Sequence, residues 1–217
     1  MRYPTEQLQR LAEVMDRLRS PGGCPWDAEQ THKSLIKYLL EESYEFIESV
    51  ENNDRQDMQE ELGDLLLQIY FHSRMAEEDA NQPFNIEDVA KSVADKLIRR
   101  HPHVFAGATV DNSQDVLENW EKQKALEKGR SSIIDGVPLA QPALPLAAKV
   151  VYRINKLNYS LPISQPIKLN DQTNQDQFGE ILLGLIAQAV EKGLDPEAAL
   201  RGATKTLIAQ IQEQEAR

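Results

Sequence analysis

Residues 36–66 read IKYLLEESYEFIESVENNDRQDMQEELGDLL, and their periodicity decides the fold. Ile36, Leu39, Leu40, Ser43, Ile47 and Val50 recur at three- and four-residue steps, the spacing of one face of a helix. They predict a helix over 31–51. Asn52-Asn53-Asp54 is a turn. Beyond it Met58, Leu62, Leu65, Leu66, Ile69 and Ser73 keep the same spacing and predict a helix over 55–78. So short a turn makes the two an antiparallel hairpin.

The same pattern extends in both directions. Leu8, Leu11, Val14, Met15 and Leu18 predict a helix over 5–19, stopped by Ser20-Pro21-Gly22-Gly23. A loop is expected through Cys24-Pro25-Trp26-Asp27. Asn85 caps a further helix whose stripe is Ile86, Val89, Ala90, Val93, Leu97 and Ile98, ending at His101-Pro102. Val104-Phe105 is expected in a loop, and one more helix over 114–128. Residues 129–145, with two Gly, three Pro and little charge, read as a linker. Helices are expected over 147–157, 177–191 and 196–215, with Asp195-Pro196 starting the last, and a loop over 161–175. No sustained alternation of apolar and polar residues competes. The chain is predicted to be all-α, with a helical domain over 1–128, the linker, and a second helical region over 146–217.

Composition narrows the function. The 217 residues carry 24 Lys+Arg against 35 Asp+Glu, a net charge of -11. That excess disfavours nucleic-acid polymers and anionic membranes, which select Lys and Arg. It leaves open a small anion handled through a metal ion. No apolar run reaches the roughly 18–20 residues of a membrane span. The polar start MRYPTEQLQR has no signal-peptide core. A single cysteine, Cys24, cannot staple the chain to itself, so a cytoplasmic protein is expected.

The acids are not scattered. The first hairpin helix holds Glu41, Glu42 and Glu45, and the second holds Glu60, Glu61 and Asp64. Residues three apart share a helix face, so Glu42 projects with Glu45 and Glu61 with Asp64. Across an antiparallel hairpin the two pairs can meet. Converging carboxylates repel unless a cation neutralises them. An all-oxygen set without His or Cys suits Mg²⁺ or Mn²⁺ rather than zinc. The plain alternative is a solvated acidic face, although no Lys stands at 46 or 65 to support one.

Cations and a ring follow. Lys96 and Arg100 are four apart, as are Trp120 and Lys124. Lys and Arg suit phosphate oxygens, and Trp offers a face for a base. Each has an ordinary reading too: a basic last turn that complements the helix dipole, and a core or interface Trp. Glu29-Gln30-Thr31-His32 is a lone E-x-x-H, short of the two that a di-iron bundle needs. His72 is expected to be packed, and His101 and His103 to be structural. Neither a phosphate-binding P-loop nor a dinucleotide fingerprint occurs.

G-G-C-P-W-D at 22–27, E-E-x-x-E at 41–45, E-E-L-G-D-L-L at 60–66 and R-R-H-P-H-V-F at 99–105 together resemble the MazG family of nucleoside triphosphate pyrophosphohydrolases, over about residues 1–145. The resemblance implies a helical-bundle fold assembled as a homodimer. It implies Mg²⁺-dependent hydrolysis of an NTP or dNTP to the monophosphate and pyrophosphate, by water attacking the α-phosphorus. It places Glu42, Glu45, Glu61 and Asp64 on the metal ligands. Lys96, Arg100, Trp120 and Lys124 fall on nucleotide contacts, and Glu41 on the first motif Glu, beside the nucleotide. The second region resembles a degenerate second copy. Gly63-Asp64-Leu65-Leu66 matches Gly179-Glu180-Ile181-Leu182, and in that register Gln177 and Glu180 replace Glu61 and Asp64, while Thr206 and Gln210 replace Lys96 and Arg100. Two rivals remain: a non-catalytic dimerisation or regulatory module that keeps the fold, and a pyrophosphatase selective for dUTP-like or damaged nucleotides.

Overall fold

The computed structural model describes residues 6–215 apart from 111, 114, 117, 118, 121, 122, 124–126, 128–134 and 157–172. Every regular element among the described residues is a helix, and no strand occurs among them. The chain divides into two compact units, Met1–Glu121 and Lys122–Arg217.

The first unit holds α1 (Glu6–Arg19), α2 (Pro25–Glu29), α3 (Ile36–Asn52), α4 (Arg55–Ala76), α5 (Ile86–Arg100) and α6 (Pro102–Phe105). Ser113, Asp115, Val116, Asn119 and Trp120 are helical, along the helix expected over 114–128. α3 and α4 form the antiparallel hairpin. Asn53 adopts the left-handed conformation that ends α3, with φ 58°. Asp54 then caps α4 by accepting from Gln56 N and Asp57 N, each at 3.0 Å. α5 opens on a capping box: Asn85 Oδ1 accepts from Asp88 N at 3.0 Å, and Asp88 accepts from Asn85 N at 3.1 Å.

Three local expectations are corrected. Residues 25–29, expected as loop, form α2. Pro25 sits in its first turn with φ already set, and Arg19 Nη1 donates to the Asp27 carbonyl at 2.5 Å. Val104 and Phe105, also expected in a loop, lie in α6, which likewise starts on a proline. α3 begins at Ile36 rather than near 31. Thr31 and Ser34 bond each other's backbone reciprocally, Thr31 N to Ser34 Oγ at 2.9 Å and Ser34 N to Thr31 Oγ1 at 3.1 Å. Such local side-chain bonds compete with helix formation. Just ahead of α2, Gly23 packs so tightly on the Arg17 and Leu18 carbonyls that a Cβ has no room.

The core lies where α1, α4 and the start of α3 meet: Met15, Leu35, Tyr70, Phe71 and Met75. The α1 stripe supplies Met15, with Leu11 and Leu18 packed against it, and Leu66 of the α4 stripe and Ile86 of the α5 stripe also reach it, but much of the stripe on the hairpin helices does not. On α3, Ile36, Leu40 and Val50 stand 47–53% exposed; on α4, Leu62 and Ile69 are 50% and 45% exposed. The inward face of α3 carries Leu35, Tyr38 and Ser49, and that of α4 carries Leu67, Gln68, Phe71 and Met75.

In the second unit, α7 (Ala143–Lys156) packs on α8 (Gln175–Glu191) and α9 (Pro196–Glu215). Val151, Ile154 and Ile186 are buried. α7 starts inside the stretch expected as linker, because Pro145 falls in the first turn, where no backbone N–H is needed. Asn174 and Gln177 form a capping box for α8: Asn174 N donates to Gln177 Oε1 at 3.1 Å, and Gln177 N to Asn174 Oδ1 at 2.9 Å. The residue in the register of Glu61 is therefore occupied in capping its helix.

Candidate metal centre

Residues seven apart on a helix lie two turns apart on nearly one face. On α3 that step joins Leu35, Glu42 and Ser49, of which Leu35 is 1% and Ser49 0% exposed. On α4 it joins Glu61, Gln68 and Met75, and also Asp64 with Phe71. Glu42, Glu61 and Asp64 thus sit in line with the most buried residues of the hairpin, while Glu45 is exposed.

Their oxygens converge. One ligand atom each from Glu42, Glu45 and Glu61 lie within 4.8 Å of one another. Burial raises the Glu42 pKa from 4.5 to about 7, aided by the charges of Asp64, Glu45 and Glu61 and by a hydrogen bond with Glu45. Glu61 is also raised, by burial first and then by Glu45, Asp57, Asp64 and Glu60. Glu61 Oε2 is buried and has no hydrogen-bond partner. A buried carboxylate oxygen left bare costs stability unless something positive meets it. This donor set fits a hard divalent cation. Asp64 stands outside the tightest three, yet its charge is the largest electrostatic influence on Glu42. Glu41 is exposed.

Of the predicted nucleotide contacts, Lys96, Arg100 and Trp120 are described in the first unit. Lys96 lines an open recess of about 430 Å³ with Phe84, Asp88, Val89, Ser92 and Val93. Arg100 is only 7% exposed, and its guanidinium lies 5.1 Å from the Trp120 ring centroid. His101 meets Trp120 edge-on at 5.0 Å, and His103 at 5.6 Å from His101 completes a ring cluster. Lys124 lies outside the described residues. Sequence reasoning overlooked Gln68, which is 6% exposed with a bare Oε1. Its signal was present as the seven-residue step from Glu61. His32, passed over as a lone metal motif, bonds His72 Nδ1 to Nδ1 at 2.7 Å.

Residues 30–105 match the model of the MazG nucleotide pyrophosphohydrolase domain. The nucleoside triphosphate pyrophosphohydrolase/pyrophosphatase MazG of Thermotoga maritima is 36% identical, over 95% of this chain and 85% of that protein. The chain belongs to the MazG family.

The nucleoside triphosphate pyrophosphohydrolase of Escherichia coli K12 is 34% identical over 96% of this chain and 87% of its own. That of Mycobacterium tuberculosis is 48% identical over 70% of this chain and 46% of its own. The MazG match contains all the carboxylates of the cluster together with Lys96 and Arg100, and stops before Trp120. The helical-bundle fold expected of MazG proteins is the fold observed. No helix among the described residues is long and apolar enough to cross a membrane.

Proposed function

We propose that this chain is a Mg²⁺-dependent nucleoside triphosphate pyrophosphohydrolase, converting an NTP or dNTP to its monophosphate and pyrophosphate. The observation that carries the reading is the convergence of the half-buried Glu42 and Glu61 with the exposed Glu45, one ligand atom of each within 4.8 Å of the others, with Glu61 Oε2 buried and bare. Membership of a family whose matched domain is described as a nucleotide pyrophosphohydrolase supports it.

Glu42, Glu45, Glu61 and Asp64 would hold a Mg²⁺ ion, or Mn²⁺ in its place, which would supply neutralising charge for the triphosphate and make a water more acidic. The chain supplies position. Rigid, packed helices fix the carboxylates, so little reorganisation accompanies reaction at the α-phosphorus. Glu42, its pKa raised to about 7 chiefly by burial, would have to be ionised to serve as a ligand to that ion. Glu41 orients the nucleotide beside the cluster. Lys96 and Arg100 offset charge on the phosphate oxygens, and Trp120 and Lys124 complete the nucleotide contacts.

The working form is a cytoplasmic homodimer. The exposed apolar stripe of Ile36, Leu40, Tyr44, Leu62 and Ile69 supports a second copy on the hairpin. The catalytic domain spans 1–128 and is followed by a linker that ends where α7 begins at Ala143 and by a degenerate second copy, in which Gln177 caps a helix instead of serving a metal. A panel of NTPs and dNTPs with separate detection of pyrophosphate and orthophosphate tests the reading. Pyrophosphate release in Mg²⁺ but not in EDTA is expected; orthophosphate as the product overturns it.

A further inference from the structure

One turn beyond Asp64, α4 carries more unmet polar atoms. Gln68 Oε1 and His72 Nε2 are buried without hydrogen-bond partners, and with Glu61 Oε2 they are the buried side-chain atoms so left among the described residues. All three residues share one face of α4, at steps of seven and four. Buried polar atoms in folded proteins are nearly always satisfied, so this seam calls for a ligand or ordered water.

The other nitrogen of His72 is already engaged. Its Nδ1 lies 2.7 Å from Nδ1 of His32, with the ring planes 10° apart and the centroids 5.0 Å apart. So short a nitrogen contact at that centroid spacing puts the rings side by side in nearly one plane, sharing a single in-line proton. Burial, then His32, holds His72 below the usual imidazole value and so uncharged. The contact serves either ring as donor; the subsite takes the tautomer in which exposed His32 donates and the proton of His72 sits on Nε2. A donor at His72 then stands one turn from an acceptor at Gln68.

We infer that Gln68 and His72 form the sugar subsite of this hydrolase, in which a nucleoside hydroxyl donates to Gln68 Oε1 and accepts from His72 Nε2–H. A hydroxyl is the nucleotide group that does both at one atom. Gln68 lies about 6 Å along the helix from Asp64, at 1.5 Å per residue. That is the reach from a metal-bound α-phosphate to the sugar and falls short of the base. His32 is a positioning residue, acting by fixing the His72 tautomer. The inference rests on the carboxylate cluster being a triphosphate site.

The test is equilibrium binding by calorimetry, in Mg²⁺, of the α,β-methylene triphosphates of adenosine, 2′-deoxyadenosine, 3′-deoxyadenosine and 2′,3′-dideoxyadenosine, to the parent, Gln68→Leu and His32→Ala. Circular dichroism verifies each fold, and Gln68→Met replaces Gln68→Leu if that variant is perturbed. The parent is expected to bind the dideoxy analogue about five- to tenfold more weakly than the full sugar, the worth of one or two hydrogen bonds. Both variants lose that discrimination, and the monodeoxy arms tell whether the 2′ or the 3′ hydroxyl is read. Equal weakening of all four analogues by Gln68→Leu means a structural water only and overturns the subsite, as does a parent that does not distinguish them or binds none. Discrimination that instead follows the base across guanosine and cytidine analogues also overturns it. Pyrophosphate release by the parent is measured alongside, so that a failed hydrolase reading and a failed sugar subsite are told apart.

Discussion

Glu42→Gln should make the metal-free protein more stable and the metal-treated protein less responsive. In the parent, the Glu42 carboxyl is raised from 4.5 to about 7, chiefly by burial and then by Asp64, Glu45 and Glu61. Below the unfolded value the group is protonated in both states, and the fold bears no penalty. As pH rises, the unfolded chain loses its proton first, so stability is lost progressively up to the folded value and the loss is complete above it. A shift of that size corresponds to at most about 3 kcal/mol. Solvent screening at a half-buried group cuts it to about 1–2 kcal/mol. The amide removes the charge and keeps the shape. In EDTA at pH 8, Glu42→Gln should therefore melt about 3–8 °C above the parent, a difference that vanishes at pH 4. Adding Mg²⁺ should raise the parent's melting point, because the ion binds the folded state, and raise the variant's much less. Circular dichroism melts at both pH values, with and without Mg²⁺, decide the matter. If the variant is no more stable than the parent at pH 8 in EDTA, or responds to Mg²⁺ as fully as the parent, the convergence of charge on Glu42 is not what the geometry implies.

Glu61→Gln should lower pyrophosphate release by at least about a hundredfold while leaving the helical dichroism unchanged, since it removes a ligand but little volume; retained activity would remove Glu61 from the metal set. Leu35→Ala deletes a side chain only 1% exposed in the core. It should cost about 2–5 kcal/mol in urea unfolding, and a cost below 1 would mean that the core is misplaced. If the proposed homodimer pairs through the hairpin's outer stripe, Leu40→Asp, at a residue 53% exposed there, should lower the mass in light scattering to that of a monomer without unfolding the protein. An unchanged mass would put the dimer contact elsewhere.

Much of this architecture was legible in the chain. Helix positions followed from periodicity and punctuation, and caps foreseen at Asn85 and Asp195 appear with their hydrogen bonds. The hairpin turn at Asn53-Asp54 and the pairing of Glu42 with Glu45 were likewise local facts of spacing. The short helices α2 and α6 fall where loops were expected, although Pro25 and Pro102 stand in their first turns, where a proline favours a helix start.

What the sequence by itself determined is what depends on near neighbours along the chain: where helices begin and end, and which residues share a face. Tertiary structure alone decided which face turns inward. Periodicity locates apolar residues without saying what covers them, and here the stripe of Ile36, Leu40, Leu62 and Ile69 stays exposed while Glu42, Glu61 and Gln68 stand in line with the buried Leu35, Ser49 and Met75. The bond between His32 and His72 joins residues forty apart, and no local rule foretells it. Burial is a property of the whole packed molecule, and burial is what turns an acidic helix face into a site that calls for a cation.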